Sequence, residues 1–189
     1  MAEIAPAPRT PLQRTARGLE RAAAVVSRVA LMLAGAACLA TFALVCYAIS
    51  MRYFFDRPQS WSDEAVGWLI VVTVMLAVPE AQRRGEHIGV DALTERLSAR
   101  NKRWAAALGV VTVAVCGWLL LSEGIEMVQF TRMVGIVSNV LPEVDLWIIQ
   151  AFVPIGGAIL LFVAAAQLVC YFAGLDPVST EKTKPDALE

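Results

Sequence analysis

The chain has 189 residues, 58% of them hydrophobic, with 16 Lys and Arg against 17 Asp and Glu and a formal net charge of −1. An ordinary soluble domain is about 45–50% apolar, so this excess, with a mean hydropathy of +0.61, points to a membrane protein, and the charge balance gives no ground for a nucleic-acid partner. A single His argues against a His-built zinc centre or a bis-His haem. Cys38, Cys46, Cys116 and Cys170 all lie in apolar runs without a CxxC, so they are expected to be small apolar fillers and no cofactor is expected.

Residues 1–16 carry Pro6, Pro8 and Pro11 with scattered Arg and are expected to form an arm without fixed structure. Val29 to Met51 is free of charge, and the first span is placed at about residues 25–51. A cleaved leader is the rival reading of this segment, but the run is longer than the roughly 7–15 apolar residues of a leader and further spans follow it. A polar loop from Asp56 to Ser60 leads into a second span, about 61–83. Its uncharged part, between Glu64 and Glu80, is short, so Glu64 is expected at headgroup depth. Pro79 falls in the last turns of that span and removes one helical hydrogen bond.

The connector that follows is polar, yet Val90, Leu93 and Leu97 recur at helical spacing with Glu95, Arg96 and Arg100 on other faces. That pattern fits a short amphipathic helix over about 90–102, on the membrane surface or as a solvated loop helix. Trp104 opens a third span, about 104–126, whose apolar stripe continues past Glu123 and Glu126 to Met127 and Phe130. A loop with Gly135, Ser138, Asn139 and Pro142 precedes the fourth span, about 146–173. Pro154 and the Gly156–Gly157 pair permit a kink or close helix packing there. Residues 176–189 form a polar tail, leaving 17–175 as the four-helix membrane domain. All Lys and Arg except Arg52, Arg57 and Arg132 precede the uncharged run that starts at Val29 or fall in the connector from Gln82 to Arg103 or in the tail. The positive-inside rule therefore predicts an all-α integral membrane protein with four transmembrane helices and both termini in the cytoplasm.

No catalytic constellation is visible: there is no Gly-rich phosphate loop, no nucleophile with a base and no cluster of metal ligands. The chain is not expected to be an enzyme. Arg52 and Glu64 face each other across the short first loop, and a salt bridge there would lock the first two helices, the alternative being exposure of both to headgroups. Gln150 and Gln167 lie in the fourth span, where an amide in lipid is costly unless paired, so each is expected to pair with a neighbouring helix.

The ordered set RYFF, SWSDEAVGWL and AQRRGEHIGVDAL resembles the small membrane subunit of tripartite ATP-independent periplasmic (TRAP) transporters, the DctQ-like family. Arg52–Tyr53 closes the first span, Trp61 and Glu64 open the second, and an Arg-x-x-x-His-Ile-x-Val-Asp exit runs from Arg83 through Arg84 and His87 to Asp91. Leu141–Pro142, Trp147 and Pro154–Ile155–Gly156 are similar to the family's entry into its last helix, and the likeness covers most of Arg28 to Phe172. One departure is Ala77–Val78–Pro79, where the family commonly has a Gly-Ala step.

The resemblance implies a multi-pass protein of the bacterial inner membrane, embedded in lipid. Its implied partners are a large membrane subunit that carries the transport path and a periplasmic binding protein that delivers an organic acid. The small subunit would brace the large one, and His87 and Asp91 would be structural, Asp91 as a helix cap. Two other classes are open to a four-span chain. A stand-alone small transporter or channel would have to carry solute unaided, and a membrane redox protein would need paired thiols or haem ligands that this chain does not place together.

Overall fold

The first helix, α1 (Pro11–Phe54), runs unbroken for 44 residues. The computed structural model to which it belongs describes residues 11–84, 99–138 and 144–172. α1 begins inside the arm expected to lack fixed structure. The Leu, Gln, Arg and Ala that follow Pro11 are good helix formers. At 1.5 Å per residue α1 is about 66 Å long, roughly twice the hydrocarbon core of a bilayer. Beyond its last turn, Asp56 takes a left-handed conformation (φ 49), and Arg57 N donates to the Met51 carbonyl at 3.0 Å.

The second helix, α2 (Ser60–Arg84), keeps its course through Pro79. The third, α3 (Ala99–Val134), begins before Trp104 and runs past Glu123 and Glu126. Residues 99–102, expected at the end of the connector helix, lie within α3. Gly135 (φ 70) stops α3: with the backbone left-handed there, Gly135 N and Ile136 N both reach the Thr131 carbonyl, at 3.0 and 3.2 Å. A short α4 (Leu146–Gln150) and then α5 (Phe152–Phe172) complete the described chain. The rest of the expected connector with His87 and Asp91, Leu141–Pro142, residues 1–10 and the tail from 173 lie outside the described residues.

Among the described residues, four helical segments are long and apolar enough to cross a membrane: Gln13–Phe54, Ser60–Arg84, Ala107–Val134 and Leu146–Phe172. The molecule is an all-α membrane bundle, and α5 is its hub. It packs against α1, α2 and α3, whereas α3 has no extensive contact with α1 or α2.

Small residues make this arrangement possible. Ala16, Ala23, Ser27, Ala30 and Ala34 are buried and fall on one face of α1. That face meets Val163 and Ala166 of α5 near one end and Leu76 of α2 further along. On α5, an added Cβ at Gly157 would lie 2.8 Å from Leu121 N, and one at Gly117 of α3 would lie 3.0 Å from Leu161 N. In lipid, tails are as apolar as side chains, so helices gain by close backbone approach rather than by escaping water. The large residues stay outside: Met32, Leu39, Phe42, Leu108 and Trp118 are all exposed on the bundle surface.

Candidate functional site

The polar groups of the bundle gather at its two ends. At one end, Cys170 Sγ lies 3.7 Å from the Ala16 carbonyl, which sets the start of α1 beside the end of α5. Here Glu80 of α2 is buried, its side chain 1% exposed. Ser27 Oγ on α1 donates to Glu80 Oε2 at 2.5 Å. Arg83 donates from Nε to Oε2 at 2.8 Å and from Nη2 to Oε1 at 2.7 Å, and Arg84 Nε reaches Oε1 at 2.9 Å.

The local cause is spacing. Arg83 and Arg84 stand three and four residues after Glu80, the positions that share its helix face, and the planar guanidinium of Arg83 matches both carboxylate oxygens. A carboxylate at the margin of a bilayer is expensive unless its lone pairs are filled. Glu80 fills them from its own helix and from α1, so the cluster both satisfies the charge and joins two helices.

The next contact ties α2 to the hub. Gln82 Nε2 donates to Gln167 Oε1 at 3.0 Å, and Gln167 Nε2 donates to the Gln82 carbonyl at 3.2 Å. The pairing expected of Gln167 is therefore made within the chain. Gln150 differs: its Oε1 is buried with no hydrogen-bond partner among the described residues. Arg84 joins the Glu80 cluster, its side chain 49% exposed.

At the opposite end Glu64 does not pair with Arg52. Ser138 Oγ donates to Glu64 Oε2 at 2.8 Å instead, joining α2 to the loop after α3. That loop is held by an isolated antiparallel bridge between Val137 and Asp145, in which Ser138 N donates to the Val144 carbonyl at 3.1 Å and Leu146 N to the Ile136 carbonyl at 3.2 Å. The Arg132 guanidinium stacks over the Trp147 ring, 5.4 Å from its centroid. Trp61 Nε1 donates to Gln59 Oε1 at 2.9 Å, and its ring lies 6.3 Å from that of Tyr47 on α1. Arg52 is exposed beside a notch between α1 and α2 that Gln59 and Asp63 also line.

Glu80, Ser27, Gln82 and Ser138 were not singled out by sequence reasoning. The Glu80–Arg83–Arg84 spacing was legible in the chain, and so was the place of Ser27 within a periodic run of alanines. Nothing local marks Ser138 as the partner of Glu64.

Four apolar spans, small-residue packing and, among the described residues, side-chain hydrogen bonds between helices near the ends define a multi-pass helical membrane protein. The DctQ component of the tripartite ATP-independent periplasmic transporters matches the chain over residues 41–174, and the chain belongs to that family. It is accordingly a multi-pass protein of the bacterial inner membrane. It is also 30% identical over 94 residues to the sialic acid TRAP transporter permease protein SiaT of Haemophilus influenzae (strain 86-028NP), a match covering 50% of this chain and 15% of that protein. No solved structure matches the chain.

Proposed function

We propose that this chain is the small membrane subunit of a TRAP secondary transporter. In this reading it braces a large transport subunit during uptake of an organic acid that a periplasmic binding protein delivers, and both its termini lie in the cytoplasm. The observation that carries the reading is the clamping of the helices at both ends: Glu80–Ser27 and Gln82–Gln167 at one, Glu64–Ser138 at the other. Between these clamps the helices meet through glycine and alanine. A part that must hold still while a neighbour moves needs this kind of build, because contacts at both ends oppose tilting and sliding of individual helices. The family membership supports the large partner and the binding protein, and the distribution of Lys and Arg supports the orientation.

The test is reconstitution in liposomes. Uptake of the acid is expected only when this chain, its large partner and the binding protein are all present, and a bundle loosened by Glu80→Ala is expected to lower uptake while the binding protein still binds its acid. Solute carried by this chain alone would make it a stand-alone transporter or channel and overturn the reading.

A further inference from the structure

Between the last turns of α1 and the first turns of α2, a notch of about 290 Å³ opens at the bundle surface, far more than the roughly 30 Å³ of a single water. Its mouth carries one cation and one anion, Arg52 and Asp63, and its walls carry Val45, Ile49 and Val66. Among the described residues neither Arg52 nor Asp63 has a salt-bridge partner, and both are exposed. Gln59 stands between the two helices with its Oε1 engaged by Trp61 Nε1, which leaves its amide N–H groups for another acceptor.

We propose that this notch holds the headgroup of a phosphatidylethanolamine, whose acyl chains continue along the apolar walls. The charges are complementary to that lipid and to few others. A phosphate takes donors from Arg52 and Gln59, and a primary ammonium donates to the Asp63 carboxylate. A choline headgroup has the positive charge but no N–H to donate, and a glycerol headgroup has no positive charge to set against Asp63. The apolar walls below a charged mouth fit an amphiphile lying at the edge of a membrane, where these residues sit at the ends of two spans.

The full chain is purified in detergent, exposed to equal amounts of phosphatidylethanolamine, phosphatidylcholine and phosphatidylglycerol, and its retained lipid is counted by native mass spectrometry. The expected result is a preference for phosphatidylethanolamine over both others. Arg52→Ala is expected to lower its retention roughly two- to fivefold, the range for loss of one exposed charge pair. Asp63→Asn is expected to remove the preference over phosphatidylglycerol. Both changes are at exposed positions, and a thermal unfolding curve unchanged from the parent shows that each variant is folded. Equal retention of the three lipids by the parent, or a preference that survives Asp63→Asn, overturns the proposal. So does retention by the isolated chain that vanishes in the assembled transporter, which would give the notch to the partner subunit.

Discussion

Gly156 of α5 faces the carbonyl of Met75 on α2, so closely that an added Cβ would lie 2.7 Å from that oxygen and 2.9 Å from Met75 Cβ. Met75 is four residues before Pro79, which has no N–H to return to it. The break in the α2 hydrogen-bond ladder and a close approach of α5 therefore fall at the same place. With no side chain, Gly156 turns a Cα–H toward the carbonyl that the proline has left without a helical donor, a weak but favourable contact.

Gly156→Ala is expected to lower stability by about 1–3 kcal/mol, because the methyl group meets backbone rather than the movable end of a side chain. Gly67→Ala, also in α2, has nothing within 4 Å of the added Cβ and is expected to be neutral or to stabilise by roughly 0.4–1 kcal/mol. Thermal unfolding of the two variants in the same detergent compares them, and equal effects would contradict the packing described.

The Glu80 cluster predicts an order of effects. Glu80→Ala removes the buried carboxylate that accepts from Ser27, Arg83 and Arg84 and is expected to destabilise by about 3 kcal/mol. Ser27→Ala removes one hydrogen bond but suits a face otherwise built of alanine, so roughly 0.5–1.5 kcal/mol is expected. Arg84→Ala takes away a half-exposed ion pair and should fall below about 1 kcal/mol. Denaturant titration of the purified variants gives the ranking directly.

Gln82 and Gln167 are expected to be coupled. A double-mutant cycle with Gln82→Ala and Gln167→Ala should return an interaction of about 0.6 kcal/mol, the usual size for a hydrogen bond between transmembrane helices. Strict additivity of the two changes would mean that the pair does not hold α2 to α5.

Gly135 is needed for its backbone. At φ 70 a side chain is strained, and Gly135→Ala is expected to lose roughly 1–2 kcal/mol. Gly135→Asn should lose less, since Asn tolerates the left-handed region better. If instead Ala proves as stable as Gly at this position by thermal unfolding, the cap at the end of α3 is not formed as described.

Much of the fold was legible because membrane insertion is written in one dimension. The uncharged runs at 29–51, 104–122 and 146–175 and the residues that flank them place the spans without knowledge of any contact. Helix ends were less legible. α1 and α3 reach at least Pro11 and Ala99, beyond the expected spans, since a helix need not end where lipid begins. The candidate site was legible in part. Gln167 was singled out because an amide in a span needs a partner, whereas the expected link from Arg52 to Glu64 followed proximity across a loop and did not foresee Ser138.

The sequence by itself determined the solvent of this protein, the number of its spans and its family, since each depends on which residues follow one another. Only the tertiary structure decided that Glu80 is answered by Ser27, that Glu64 is answered by Ser138, and that α5 stands at the hub. The physical reason is that lipid does not sort one apolar helix face from another. The choice among faces falls to a few small residues that let backbones approach and a few polar groups that must find partners, and those partners lie far apart along the chain.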